Sequence, residues 1–245
     1  MNIFTYFQTV YLSYLLQLGP NTLQPEHQVQ ALRLAVDSIK IALEIEAKYE
    51  QNGYINVSKI LPSSQIDIRY SYEDNFLKED MYGPYCACHL HPDATEKLEK
   101  AYKLLQKEKP GYSFIFYDCT RPVSVQYKMW KALDHMPPIE RSKYLSNPKN
   151  HSIHNYALAI DMGLVDEKGK VCDMGTDFDY FGILAYPSAE QKLLQEGKLT
   201  PEQVSNRLLM RRIMENVGFR QQSFEWWHYN TMSRDQAKAK YKPFY

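Results

Sequence analysis

Residues 157–165 alternate between large apolar and small side chains, a period of two that is typical of a β-strand. The large residues occupy every second position from Leu158 to Leu164, and small residues flank Asp161 on the other side. We expect the large side chains to face the core, which leaves space beside the Asp161 carboxylate. The segment therefore predicts a strand that carries a functional carboxylate.

Residues 25–51 predict a long amphipathic helix, because apolar side chains recur at spacings of three and four. Pro25 suits a first helical turn, and Gly53 suits a C-terminal cap. The apolar stripe consists of Val29, Leu32, Val36, Ile39 and Leu43. Because this helix precedes every chemical motif, we divide the chain into a helical extension, residues 1–53, and a catalytic domain, residues 54–245. The extension is expected to cover the catalytic domain or to pair with a partner. A homo-oligomer, in which that partner is a second copy of this chain, is one alternative.

The rest of the chain predicts helices interspersed with short strands. Residues 92–109 read as a helix and residues 112–117 as a strand. Thr200 opens a capping box that starts another helix, and the aromatic run 223–229 predicts the last strand. Together these elements predict an α+β fold in which helices flank a small central antiparallel sheet.

The charge balance excludes strongly charged partners. Lysine plus arginine equals aspartate plus glutamate at 29 each, so no net field would attract nucleic acid or an anionic membrane. We therefore predict neither as a partner. A small neutral or zwitterionic substrate fits this composition better.

The compartment is predicted from the N-terminal segment and the cysteines. Residues 1–19 are apolar and aromatic but lack the basic start of a signal peptide, so we expect an ordered N-terminal helix. The chain has four cysteines and no CxxC pair, which favours reduced thiols and a cytoplasmic location. A periplasmic or exported protein, with residues 1–19 acting as a signal, is the alternative.

Two imidazoles and a carboxylate form a plausible ligand set for a catalytic metal. His154, Asp161 and His228 match the three protein ligands that catalytic zinc takes while it keeps a fourth position for water. Glu225 lies three residues before His228, where a carboxylate can reach the reacting water without binding the metal. Spacing alone leaves a metal site and ordinary surface or core groups as alternatives.

Residues 152–161 match the pattern S-x-H-x-x-G-x-A-x-D except at its glycine, and residues 225–228 match E-W-W-H. In this they resemble the D-alanyl-D-alanine dipeptidases, zinc enzymes related to the D,D-carboxypeptidases and the hedgehog signalling domain. Further blocks of the same resemblance are residues 69–76, 118–122, 174–179 and 212–219.

The resemblance implies a hedgehog-like, D,D-peptidase-like fold with one zinc ion per chain. It implies that Arg121 stabilises the oxyanion of the tetrahedral intermediate, and that Tyr70, Ser152 and Asp179 hold the dipeptide. Asp179 would face the ammonium group of the substrate. The alternative for Arg121 is a structural ion pair with Asp118 or a neighbour.

Two positions depart from the family pattern. Ala157 replaces a glycine, so we expect that its backbone does not need a positive φ or that the turn has shifted. Thr120 replaces an aromatic residue, which predicts a different pocket wall.

The tract of residues 86–91 contains two cysteines and two histidines, but their strand-like alternation makes four converging ligands hard to arrange. We predict no metal there.

The resemblance and the residues together predict a zinc metallopeptidase that hydrolyses the dipeptide D-Ala-D-Ala. One alternative is a D,D-carboxypeptidase or cell-wall endopeptidase on the same zinc core. The other is a catalytically inactive zinc-binding module, which the retention of Glu225 and Arg121 argues against.

Overall fold

The computed structural model describes residues 25–245, and its helices are spread along this whole part of the chain. They are α1 (Pro25–Gln51), α2 (Val57–Ile60), α3 (Pro92–Glu108), α4 (Val123–Ala132), α5 (Pro138–Arg141), α6 (Glu190–Gln195), α7 (Pro201–Asn216) and α8 (Arg234–Lys240). Within residues 25–245, none of these helices is long and apolar enough to cross a membrane. The helix predicted for residues 1–19 lies outside the described residues.

A five-stranded sheet forms the centre of the fold. The strands are β1 (Ile55–Asn56), β2 (Gln65–Ile66), β3 (His89–Leu90), β4 (Ser113–Asp118), β5 (Ala159–Val165), β6 (Arg220–Gln221) and β7 (His228–Asn230). The sheet order is β2-β4-β5-β7-β6, and β1 pairs with β3 separately. Helices α3 and α7 pack against β4 and β5. The predicted α+β fold with a small sheet flanked by helices is confirmed.

One strand pair differs from the predicted antiparallel arrangement. The edge strand β2 runs parallel to β4, whereas the other pairs of the five-stranded sheet are antiparallel. Parallel neighbours need a long crossover connection, and here the chain between β2 and β4 includes β3 and α3. Because β2 has only two residues, its sequence does not indicate whether it runs parallel or antiparallel to β4.

The alternating segment forms β5 as predicted, but the strand is buried on both faces. The large side chains face the core, and the small face is covered as well, with Asp161 only 4% exposed. A Cβ on Gly163 would lie 3.1 Å from Ile115 Cγ2 and from the Tyr117 hydroxyl of the neighbouring strand. The small residues therefore also permit close packing against β4.

The last predicted strand is wrong in its boundaries. Of residues 223–229 only His228 and Tyr229 belong to β7, which ends at Asn230. The preceding residues form a loop because β6 pairs antiparallel with β7, so the chain must reverse between them. Trp226 and Trp227 are 2% exposed. An aromatic run can therefore belong to a buried loop and does not by itself indicate a strand.

The helix predictions that fall within residues 25–245 are confirmed, including their local signals. Helix α1 has the predicted bounds, and Gly53 follows it with φ +77°. At the start of α7, the Thr200 hydroxyl accepts from the Gln203 amide, and the Gln203 side chain accepts from the Thr200 amide. This is the predicted capping box, which satisfies two donors of the first helical turn.

Helix α1 contacts the catalytic domain with a different face from the one that we expected. Four residues of the apolar stripe, Val29, Leu32, Val36 and Leu43, are 48–61% exposed among the described residues. Ala42 and Tyr49 are fully buried instead, and the Tyr49 ring stacks on Phe244 at a centroid distance of 4.6 Å. The division of the chain at residue 53 stays a prediction.

Cys88 and Cys119 form a disulfide bond, so the prediction of four reduced cysteines is wrong. The bond joins the residue before β3 to the residue after β4, across a sequence separation of 31. Cys86 and Cys172 are free. No sequence pattern indicates this pair, because the two distant segments meet only in the folded chain.

Replacing both Cys88 and Cys119 by alanine is expected to lower the free energy of unfolding by about 3–4 kcal/mol, since the crosslink restricts the unfolded chain over a separation of 31 residues. Denaturant unfolding followed by circular dichroism measures this. A Cys86→Ala/Cys172→Ala variant is the control, and it should keep the sensitivity of the wild type to reductant. If reductant leaves the unfolding midpoint of the wild type unchanged, the disulfide does not contribute.

Candidate functional site

The three predicted metal ligands come from different elements and meet at one point. His154 lies in the 3₁₀ turn Ile153–Tyr156, Asp161 in the middle of β5 and His228 at the start of β7. Asp161 and His228 are direct partners in the sheet register. His228 Nδ1 is 2.8 Å from Asp161 Oδ1 and 3.3 Å from His154 Nε2, and His154 Nε2 is 3.5 Å from Asp161 Oδ2.

The other nitrogen of each imidazole is held by a neighbouring oxygen. His154 Nδ1 hydrogen-bonds to the Cys119 carbonyl oxygen at 2.6 Å, and His228 Nε2 to Asn230 Oδ1 at 2.9 Å. Such outer contacts orient metal-binding histidines and fix the tautomer. Sequence reasoning missed both partners, because a backbone carbonyl has no sequence signature and Asn230 lies just beyond the motif.

The turn that presents His154 depends on a left-handed residue. Ser152 and Asn155 form a capping box at its start, and Ala157 ends it with φ 57° and ψ 30°. The expectation that Ala157 does not need a positive φ is therefore wrong. A glycine would adopt this conformation without the steric penalty of a Cβ.

The donor set fits a metal ion. One ligand atom from each of His154, Asp161 and His228 lies within 4.8 Å of the others. Burial lowers the pKa of His228, but the nearby Asp161 and Glu225 carboxylates outweigh it and raise the pKa to about 9. Burial raises the pKa of Asp161, and the two imidazoles more than reverse this and hold it well below its usual range. The site therefore favours a positive charge between these groups, which a bound cation can supply.

Glu225 lies beside this cluster without belonging to it. Its Oε2 is 3.7 Å from His228 Nδ1, and its side chain is 31% exposed. Burial raises the pKa of Glu225, and the Asp161 carboxylate adds to this, against the lowering effect of His228. This shift brings the carboxyl closer to the range in which it can exchange protons near neutral pH.

Arg121 forms the ion pair with Asp118 that the sequence left as one of two alternatives. It is buried and paired with Asp118: Nε donates to Asp118 Oδ2 at 3.0 Å, and Nη2 donates to the same oxygen. Nη1 donates to Gln126 Oε1 at 3.0 Å, and the guanidinium lies over the Tyr70 ring at 5.4 Å. These bonds use three of the five guanidinium N–H groups, so two remain for a ligand.

The predicted substrate-binding residues also face this region. The Tyr70 hydroxyl donates to Asp179 Oδ2 at 2.6 Å. Burial raises the pKa of Asp179 well above its usual value, and the Asp161 and Glu225 carboxylates add to this, although the Tyr70 hydrogen bond opposes it. Asp179 also has a positive φ of 59°, which is uncommon for a residue with a side chain. Ser152, besides capping its turn, has 6% of its surface exposed.

All eight predicted site residues line one cavity of about 110 Å³. They are Tyr70, Arg121, Ser152, His154, Asp161, Asp179, Glu225 and His228. Sequence reasoning missed other lining residues, among them Ser146, Gln222 and Arg234. The cavity is well below the ~300–1,000 Å³ of pockets for drug-sized ligands, which favours a small ligand.

Thr120 does not form part of this cavity. Its side chain is buried, and its hydroxyl donates to the His89 carbonyl oxygen on β3. The predicted change in the pocket wall is therefore wrong, because the side chain points toward β3 and not toward the site.

A family model described as D-ala-D-ala dipeptidase matches residues 50–244. The chain belongs to this family. A D-alanyl-D-alanine dipeptidase of Escherichia coli is 30% identical over 175 residues, which cover 71% of this chain and 82% of that protein. Those of Enterococcus faecalis and Enterococcus faecium are 25% and 27% identical, and the alignments cover 73% and 72% of this chain and 91% and 90% of theirs.

The family match contains the whole cavity, since every lining residue lies between 50 and 244. The chain is thus a peptidase of the D-ala-D-ala dipeptidase family, and the resemblance seen in its motifs is confirmed.

The tract of residues 86–91 is not a four-ligand metal site. Cys88 is in the disulfide, and His91 accepts a hydrogen bond from the Asp93 amide at the start of α3.

Proposed function

We propose that this peptidase is a zinc-dependent dipeptidase that hydrolyses D-Ala-D-Ala. One observation carries the proposal: His154, Asp161 and His228 converge beside Glu225 and Arg121 in a small cavity of a chain from the D-ala-D-ala dipeptidase family. Two imidazoles and one carboxylate suit catalytic zinc. When bound there, zinc supplies a Lewis acid that makes water nucleophilic near neutral pH and polarises the scissile carbonyl.

Glu225 is the residue of the chain that moves the proton. Its Oε2, 3.7 Å from His228 Nδ1, accepts a proton from the attacking water and then donates it to the leaving amine. A carboxyl group with a raised pKa suits both steps, because it releases and regains a proton without a large cost at working pH.

Arg121 stabilises the negative charge that develops on the carbonyl oxygen. The guanidinium is held rigidly by Asp118 and Gln126, so its free N–H groups need no reorganisation when the charge appears. Asp118 acts as a positioning residue, since it fixes Arg121 without lining the cavity.

Asp179 binds the ammonium group of the dipeptide. In the free site, burial and neighbouring carboxylates raise the pKa of Asp179, and an arriving ammonium group offsets both effects by supplying a positive charge. Tyr70 orients this carboxylate through its hydroxyl, and Ser152 contributes a polar group to the same wall.

Arg234 is expected to recognise the substrate carboxylate, because it adds a guanidinium to the exposed edge of the cavity. Replacing Arg234 by alanine should raise KM for D-Ala-D-Ala about 5–30-fold with little change in kcat, which corresponds to about 1–2 kcal/mol of uniform binding. Steady-state kinetics measure both constants. Lys238→Ala, on the same helix but outside the cavity, is the matched control. An unchanged KM for Arg234→Ala would contradict this role.

The competing activity on this site is that of a D,D-carboxypeptidase or cell-wall endopeptidase. The cavity of about 110 Å³ favours a dipeptide over a longer peptide stem. A panel of D,D-, L,D- and L,L-dipeptides and a pentapeptide stem, offered to the zinc-loaded protein, tests the proposal. Rapid hydrolysis of D-Ala-D-Ala alone supports it, and cleavage of only the pentapeptide contradicts it. Zinc binding without turnover of any of these peptides would identify an inactive binding module.

We infer an oxidising compartment for this protein, in place of the cytoplasm. The Cys88–Cys119 disulfide supports this, because structural disulfides persist mainly in secreted and periplasmic proteins. Trapping free thiols in intact cells tests the inference: two reactive cysteines per chain are expected, and four would contradict it.

A further inference from the structure

A second group of metal-binding side chains lies outside the catalytic cavity, where helix α1 meets strand β3. It consists of Glu46, Glu50 and His89, and one ligand atom of each lies within 4.8 Å of the others. The two glutamates are four residues apart on α1, so they project from the same helical face. His89 is the first residue of β3. None of the three lines the catalytic cavity.

The imidazole of His89 points into this group with an unsatisfied nitrogen. His89 is 0% exposed, and its Nε2 has no hydrogen-bond partner among the described residues. Glu46 Oε1 lies 3.8 Å from it, which is too far for a hydrogen bond. Because buried polar atoms are almost always paired, this nitrogen is available to a further group that lies between the imidazole and the carboxylate.

The ring of His89 is fixed in this orientation. Its Nδ1 hydrogen-bonds to the Tyr85 hydroxyl, and its face stacks on Tyr49 at a centroid distance of 5.1 Å and an angle of 15°. Glu46 is held in turn, since Asn56 Nδ2 donates to Glu46 Oε1 at 2.8 Å. Metal-binding histidines and carboxylates have outer hydrogen bonds of this kind.

The distances suit an ion better than direct contact. Two ligand atoms at ~2.0–2.2 Å from a tetrahedral zinc ion are roughly 3.3–3.6 Å apart. The 3.8 Å between His89 Nε2 and Glu46 Oε1 is close to this separation. Glu50 currently pairs with Lys59, but both side chains are about half exposed, and such a surface ion pair is weak enough to be exchanged for a metal ion.

We propose that Glu46, Glu50 and His89 form a second binding site for a divalent transition-metal ion such as Zn²⁺, distinct from the catalytic centre. One imidazole and two carboxylates suit ions of this class. Two ligands belong to α1 and the third belongs to the core beside the disulfide-bonded Cys88, so the ion joins the N-terminal helix to the catalytic domain.

The test is the zinc content of the full-length chain. Wild type and a Glu46→Gln/Glu50→Gln variant are stripped with a chelator, reloaded with excess Zn²⁺, desalted and analysed for metal and protein. We expect the variant to hold one Zn²⁺ per chain fewer than the wild type. Glu44→Gln, an exposed charge on the same helix, is the matched control and should equal the wild type.

Glutamine has nearly the same shape as glutamate, and its side-chain oxygen at position 46 can still accept the hydrogen bond from Asn56, so the fold should survive. A circular dichroism spectrum equal to that of the wild type checks this. Because the result is a difference of one ion between two proteins with intact catalytic residues, it does not depend on whether the catalytic centre binds zinc. Equal zinc content in the wild type and the double variant would overturn the proposal. If Glu44→Gln also holds one ion fewer, the loss results from the change in net charge and not from a specific binding site, and this outcome would also overturn the proposal.

Discussion

Replacing Glu225 by glutamine is expected to lower kcat for D-Ala-D-Ala hydrolysis by about 10²–10⁴-fold. Glutamine has nearly the same shape, but it can neither accept a proton from water nor return one to the leaving amine. Because Glu225 is not among the three clustered ligand residues, metal content should stay at the wild-type level, and KM should change little. Steady-state kinetics with metal analysis of the same preparation measure all three quantities.

Glu215→Gln provides the matched control for this prediction. It removes the same charge from an exposed position on α7, outside the cavity, and should leave kcat unchanged. Equal rates for Glu225→Gln and wild type would remove Glu225 from the mechanism. A loss of the catalytic metal in Glu225→Gln would instead show that this carboxylate is a ligand.

Replacing Arg121 by lysine is expected to lower kcat/KM by about 10²–10³-fold, because the loss of one oxyanion donor costs about 2.7–4 kcal/mol in a well-measured case. Lysine keeps the positive charge next to Asp118, so the buried carboxylate is not left without a counter-charge. A single ammonium group cannot contact Asp118 and Gln126 and still present directed N–H groups to the substrate. The effect should therefore appear mainly in kcat.

The chain offers a closely matched control in Arg69. Its Nε donates to Asp67 Oδ2 at 2.8 Å, and its guanidinium lies over the Tyr117 ring at 5.8 Å, yet it does not line the catalytic cavity. Arg69→Lys should lower stability to a similar or smaller extent and keep nearly full activity. If Arg121→Lys loses stability but retains kcat/KM within about threefold of the wild type, the role of Arg121 is structural only.

The sequence by itself determined the elements and residues whose signals are local. The capping box at Thr200 and the apolar spacing in α1 depend on residues within a few positions of one another, so they predict helices before any tertiary contact forms. The same holds for the alternation around Asp161. The residues of the catalytic site were recognised as a group because their motifs match those of the family, although no local rule places His228 next to Asp161.

The tertiary structure decided everything that depends on segments distant in the sequence. It paired Cys88 with Cys119 and supplied the Cys119 carbonyl that orients His154. It also imposed a positive φ on Ala157, because the turn must end there for β5 to enter the sheet. None of these features has a pattern in the sequence, since each results from the free energy of the whole packed chain and not from the preferences of neighbouring residues.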